Sequence, residues 1–137
     1  MTNINMRPRI AEAALCVLLA ALTCSAGEEA SRHKAKMDEA QDLKDEIQDG
    51  LDGKSASKVA DAAAKLRALC QQEEQLWIRA RVAEAIRLAG KNLQAVRELE
   101  AGAKTGDLDS AAKAFERLNA SCRACHDLHL EKAHRNP

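Results

Sequence analysis

Residues 82–99 read VAEAIRLAGKNLQAVREL, and their apolar positions recur at steps of three and four. That spacing is the period of an α-helix that buries one face and exposes the other. Gly90 lies inside the stretch, where it either allows a close approach or occupies a tolerated surface position. The stretch predicts an amphipathic helix, and its inward positions are Val82, Ile86, Ala89, Leu93, Val96 and Leu99.

Three other stretches show the same spacing and predict three more helices. Their apolar stripes run over Met37–Leu51, Val59–Leu69 and Leu108–His129. The residues expected to end or cap these helices are Gly50 and Gly53 after the first, Ser55 or Ser57 before the second, and Asp107 or Asp109 before the last. Short connections favour helices that run in opposite directions. We therefore predict an all-α fold, an antiparallel up-down-up-down four-helix bundle.

The boundary between the second and third helices has the weakest sequence signal. Residues 71–75 are polar but contain neither Gly nor Pro, so nothing there forces a helix to end. One helix through this region would be unusually long for a small domain. We therefore predict a break before Trp77, so that Trp77 opens the third helix.

The composition supports an all-helical chain that has an unusual core. The 137 residues include one Phe, one Trp and no Tyr, so aliphatic side chains must fill the interior. A large, flat, apolar cofactor would supply the missing volume. The 21 basic and 21 acidic residues form no basic block, which argues against a nucleic-acid partner.

The N-terminal segment, residues 1–26, has a different pattern from the rest. Two arginines come first, then an apolar run over 10–22 that one Glu interrupts, then small residues ending at Ala26. This order is typical of a secretory signal, and the apolar run is too short to span a bilayer well. We predict cleavage after Ala26, which leaves a periplasmic domain, residues 27–137, without a membrane span. The alternatives are an uncleaved anchor and lipid attachment at Cys24.

The chemistry of the chain is concentrated in Cys122-Arg123-Ala124-Cys125-His126. The spacing C-x-x-C-H is typical of covalent haem attachment, in which each thiol adds to one vinyl group of the haem. On a helix, positions i, i+3 and i+4 share one face. Cys122 and Cys125 would then fix the porphyrin edge, and His126 would be the proximal ligand of the iron.

Other readings of the same residues remain open. A redox dithiol usually occurs in an α/β context, which this sequence does not indicate. Zinc could take Cys122, Cys125 and His129, with His126 or His33 as the fourth ligand. A structural disulfide between Cys122 and Cys125 is the third alternative.

A distal iron ligand must come from upstream of the motif. Only 11 residues follow His126 and none is Met, whereas Met37 is the one Met beyond the predicted cleavage site. Met37 lies on the inward stripe of the first helix, and His33 lies one turn earlier on the same face. His129 and His134 follow the motif on its own helix or at its end. Met37 is therefore the first candidate for the distal ligand, His33 the second, and an open five-coordinate iron the alternative.

These features resemble the class II cytochromes c, the cytochrome c′ and cytochrome c-556 family, over roughly residues 30–132. The resemblance rests on the motif at 122–127, on the segment RHKAKM at 32–37, and on Trp77. It implies a four-helix bundle, often dimeric, with His126 as the proximal ligand. In the c-556 branch a helix-one Met is the sixth ligand, and Met37 stands where that Met is expected. The c′ branch lacks this ligand and binds small gases such as nitric oxide.

These observations lead us to expect a periplasmic electron carrier with one covalent haem c. Its partners would be redox proteins of the periplasm, with a homodimer as a further expectation. No acid–base pair, nucleophile or phosphate loop predicts an enzyme. The alternatives are a five-coordinate gas-binding protein and a non-haem bundle with zinc or a disulfide. Trp77 is a candidate haem contact or an ordinary core aromatic, and Cys70 is expected to be a small buried hydrophobe.

Overall fold

A computed structural model describes the backbone of residues 9–135 and the side chains of Glu28 and residues 31–128. The helices are α1 (Arg9–Asp52), α2 (Ala56–Ala80), α3 (Ala83–Lys104) and α4 (Leu108–Arg135). The described backbone contains no strand, so the all-α prediction with four helices is confirmed. None of the helices within the described residues is long and apolar enough to cross a membrane.

The chain divides into two compact units, with the boundary inside α1 after Asp38. The first unit contains the N-terminal part of α1. It includes the predicted cleavage site at Ala26, through which α1 is continuous. The arginine at position 7 lies outside the described residues, as do the side chains up to residue 27, so the signal peptide stays a prediction.

The second unit, from Glu39 onward, buries one apolar cluster to which all four helices contribute. Six of its 15 residues are alanine, and Phe115 is its only aromatic member, so aliphatic and small side chains fill the core. The cluster consists of Leu43, Ile47, Val59, Ala62, Ala63, Leu66, Leu93, Ala95, Val96, Leu99, Ala103, Ala111, Ala114, Phe115 and Leu118.

The turn between α1 and α2 follows the sequence prediction. The helix ends at Asp52, between the two predicted glycines, and Ser55 caps α2 by accepting a hydrogen bond from the Lys58 N–H at 3.4 Å. A Cβ at Gly50 would lie 2.8 Å from Val59 Cγ2. Glycine is therefore required where the end of α1 approaches α2.

The break between α2 and α3 does not lie where the sequence predicted it. Trp77 belongs to the last turn of α2, and the chain turns at Arg81, which adopts a left-handed conformation with φ of 58°. The Arg81 N–H donates to the Ile78 carbonyl at 3.2 Å and closes the helix end. Because residues 71–75 contain no helix breaker, α2 continues through them and past Trp77.

The remaining contacts connect α3 to its two neighbours. Glu100 of α3 accepts a hydrogen bond from Arg67 Nε of α2 at 2.6 Å, and Arg117 of α4 forms an ion pair with Glu98. The turn into α4 is capped by Asp107, whose Oδ1 accepts from the Ser110 N–H at 3.0 Å. These contacts hold the C-terminal helix, which carries the cysteine motif, against the core.

Candidate functional site

The helix α4 carries the whole C-x-x-C-H motif, as the sequence predicts. Cys122 is half-buried and packs against the core cluster, one turn beyond the fully buried Leu118. Cys125 is also half-buried, whereas His126 is exposed. The helical spacing puts both thiols and the imidazole on one side of α4, with the thiols nearer the core.

A third cysteine lies close to this pair. Cys70 of α2 packs against the same core cluster as Cys122, and the three thiols are free. Burial raises the pKa of the Cys70 thiol to about 12, and the neighbouring Cys122 and Glu73 act in the same direction. This packing agrees with the expectation that Cys70 is a small hydrophobic residue of the interior. Cys70 is half-buried, however, and not fully enclosed.

The two motif thiols have different electrostatic surroundings. Burial raises the pKa of Cys122, while the ammonium group of Lys44 opposes that change. Burial also raises the pKa of Cys125, and the charges of Glu73 and Cys122 add to the effect. Both thiols are therefore protonated at neutral pH, with a cation on the side of Cys122 and a carboxylate on the side of Cys125.

The donor set fits covalent attachment of a haem. Two free thiols stand three residues apart on one helix face, and the exposed imidazole of His126 follows directly. Among the described side chains, no group of three His, Cys, Asp or Glu residues could hold a metal ion. His129, on which the zinc reading depends, has its side chain outside the described set, as does His134.

The candidate distal ligands both lie on α1 in the first unit. Met37 and His33 are half-buried there. Trp77, the candidate haem contact, is half-buried in the last turn of α2. Their roles toward a haem stay predictions.

Sequence reasoning missed two charged residues of the site, Lys44 and Glu73. Each lies on a helix other than α4, and helical periodicity relates residues only along a single helix. The sequence therefore contained no signal that would have brought either of them beside the thiols.

One comparison with known proteins covers the part of the chain that carries the motif. A family model described as cytochrome C′ matches residues 80–129, which include α3 and the cysteine motif of α4. No curated protein and no solved structure matches the chain significantly. The segment that spans α3 and the C-x-x-C-H motif of α4 is therefore similar to the cytochrome c′ family, which supports the resemblance to the class II cytochromes c.

Proposed function

We propose that the chain is an exported mono-haem c-type cytochrome that transfers electrons. The observation that carries the proposal is the C-x-x-C-H motif on one face of α4, inside the segment that matches the cytochrome c′ family. In this proposal the four helices form an antiparallel up-down-up-down bundle around the cofactor. A bound haem would supply one-electron chemistry through the ferrous and ferric states of its iron.

The three motif residues would bind the haem in two different ways. Cys122 and Cys125 would each form a carbon–sulfur bond with a haem vinyl group, and each thiol proton would move to the other vinyl carbon. His126 would coordinate the iron through an imidazole nitrogen. Attachment at two points on a helix that packs against the core would hold the imidazole in one orientation, which limits reorganisation during electron transfer.

We propose Met37 as the distal ligand. It is the one Met beyond the predicted cleavage site, and it lies on the apolar stripe of α1. A thioether opposite the imidazole keeps both oxidation states six-coordinate and raises the reduction potential. His33, one turn earlier, is the second candidate.

Absorption spectra of the haem-loaded protein test this ligation, with and without carbon monoxide. We expect a low-spin ferrous spectrum that carbon monoxide does not change. Met37→Ala should give a high-spin spectrum that shifts with carbon monoxide, because one coordination position is then open. His33→Ala is the matched control and should behave like the wild type.

Two results would contradict the assignment of Met37. One is a wild-type spectrum that shifts with carbon monoxide, which would favour the five-coordinate, gas-binding alternative. The other is an unchanged spectrum in Met37→Ala.

The cellular setting follows from the same proposal. Cleavage after Ala26 would release the domain into the periplasm, where it would exchange electrons with redox partner proteins and have no catalytic reaction of its own. The family resemblance suggests a homodimer. N-terminal sequencing of the exported protein should begin at Gly27, and sedimentation should report two copies per particle.

A further inference from the structure

The outer face of α4, which is exposed to solvent, has a regular order of charges. Its positions follow one another at steps of three and four residues, and this spacing places them on one side of the helix. In chain order they are Lys113, Glu116, Ala120, Arg123 and Asp127, and all five residues are exposed. A cation and an anion therefore precede the alanine, and a cation and an anion follow it.

The four charged side chains of the outer face form no ion pair with another described residue. Arg117, in the same helix, differs from them because it pairs with Glu98 of α3. Lys113 is a minor cause of the lowered pKa of Asp107, behind the hydrogen bonds from Ser110. The charges of the outer face are therefore available for ion pairs with a partner.

The order of these charges is complementary to itself when it is reversed. A second copy of α4 can lie antiparallel on the outer face with its Ala120 opposite Ala120 of the first, so that a two-fold axis relates the two copies. Lys113 then lies level with Asp127 of the second copy, because each is seven residues from the axis. Glu116 and Arg123 of the second copy differ in level by one residue, about 1.5 Å, which their long side chains can span. Each of these contacts occurs twice in the symmetric pair.

Other arrangements of the same two helices bring like charges together, which opposes association. A parallel pair in register would put every charge opposite its own copy. An antiparallel pair shifted by one turn would put Lys113 near Arg123 of the second copy. A shift by one turn in the other direction would put Glu116 near Asp127 of the second copy. The charges of the outer face thus favour one orientation and one register, and the small side chain at Ala120 lets the two helices approach closely at the centre.

We propose that the outer face of α4 is the contact between two copies of this chain, packed antiparallel about Ala120. The inference starts from the homodimer of the proposed function and names the surface that forms it. Because none of the five positions carries a large apolar side chain, exposed ion pairs must hold the copies together, and each such pair contributes little. The association is therefore weak and sensitive to salt. It brings the two C-x-x-C-H motifs side by side, since the axis lies two residues before Cys122.

Sedimentation velocity of the haem-loaded protein tests this contact at low salt and at about 1 M salt, where screening acts within about 3 Å. We expect wild-type dimers at low salt and monomers at high salt. Glu116→Lys and Arg123→Glu should each raise the dissociation constant about tenfold at low salt, because each puts two like-charged pairs into the contact. An equimolar mixture of the two variants should dimerise like the wild type, because every pair in the mixed dimer again has opposite charges.

A further variant and a control keep the test independent of the haem motif. Lys113→Glu lies outside the motif and should weaken the dimer as Glu116→Lys does, so these two variants decide if Arg123→Glu takes up no haem. Lys65→Glu on α2 is the control, because Lys65 is exposed and lies on another helix. It should leave the association unchanged.

Three results would overturn the inference. A wild type that stays monomeric at about 1 mM and low salt would leave the outer face of α4 to solvent or to a different partner. A dimer that Glu116→Lys leaves intact, or that Lys65→Glu weakens equally, would have another interface. A mixture of haem-loaded Glu116→Lys and Arg123→Glu that stays monomeric would contradict the pairing of these charges. Covalent haem in any of these cases leaves the electron-transfer proposal intact, whereas a chain without covalent haem contradicts that proposal and not the contact.

Discussion

Glu100 shows how the bundle accommodates a charge in its interior. Its side chain is 8% exposed and forms ion pairs with Lys104 Nζ at 2.5 Å and Arg67 Nε at 2.6 Å. The hydrogen bonds from Lys104 and Arg67 hold the pKa of the carboxyl below its usual value, against the opposing effect of burial. A buried carboxylate with two cationic partners joins α2 to α3 and keeps its charge.

We predict that Glu100→Gln lowers the free energy of unfolding at neutral pH by about 1–3 kcal/mol, because hydrogen bonds to a charged group are lost. The folded-state pKa lies below that of the unfolded chain, so this stabilisation is present above the ordinary carboxyl pKa of about 4.3 and is lost as pH falls below it. Denaturant titrations at neutral and acid pH measure the difference in the free energy of unfolding between the wild type and Glu100→Gln. The difference should shrink in acid, and a difference that stays constant or grows would contradict the assignment. Glu46→Gln, at an exposed position, is the control.

The residues of the candidate site differ in how well the sequence predicts them. Cys122, Cys125 and His126 are recognisable because all three lie within one turn of one helix, where spacing fixes their shared face. Lys44 and Glu73 are not recognisable, because each is an ordinary charged residue of an amphipathic helix. Only the packing of α1 and α2 on the core brings them to the thiols.

The helix boundaries could be predicted where particular residues of the sequence end or cap a helix. Gly50, Gly53 and Ser55 mark the turn between α1 and α2, and Asp107 marks the start of α4, because glycine geometry and side-chain caps act over a few residues. The turn at Arg81 has no such signal. Arg81 adopts the left-handed conformation there, and Val82 follows without a side-chain cap. The position of this turn therefore depends on packing.

Two glycines of α3 should respond differently to replacement by alanine. A Cβ at Gly102 would lie 3.0 Å from the Ala111 backbone nitrogen and 3.1 Å from the Asp107 carbonyl oxygen, and neither atom can move without shifting α4. We expect Gly102→Ala to cost about 1–3 kcal/mol.

A Cβ at Gly90 would meet only the Glu74 carboxylate, at 3.6 Å, an ordinary contact. We expect Gly90→Ala to be neutral or to stabilise the fold by up to ~1 kcal/mol, because alanine favours helix. Thermal unfolding of both variants measures the contrast. Equal destabilisation by the two substitutions would contradict the close packing of Gly102 against the start of α4.

The N-terminal cap of α4 gives a prediction for the element that carries the motif. Asp107 accepts hydrogen bonds from the Ser110 N–H at 3.0 Å and the Ser110 hydroxyl at 2.7 Å, and the first of these is the main cause of its lowered pKa. Asp107→Ala should lower the melting temperature, whereas Asp107→Asn, which also caps helices well, should lower it less. The pKa of Asp107 is lower in the folded state than in the unfolded chain. The difference in melting temperature between wild type and Asp107→Ala should therefore become smaller in acid. Equal effects of the two substitutions would contradict the capping role.

The whole molecule combines an aromatic-poor core with a thiol pair at its edge. The sequence predicted the helical class and the position of the motif, since both follow from periodicity and composition. The comparison with known families covers residues 80–129 and extends neither to α1 nor to most of α2. The proposed role of Met37 therefore rests on the sequence of α1.

The central claim is that Cys122 and Cys125 hold one haem covalently. The intact mass of the protein, expressed with the machinery that attaches haem to exported cytochromes and measured under denaturing conditions, tests it most directly. We predict the mass of the chain plus one haem, and the bare chain when Cys122 and Cys125 are both replaced by alanine. Cys70→Ala is the matched control and should retain the haem. A wild-type chain that carries no haem after denaturation, or a double variant that still carries it, would contradict the account.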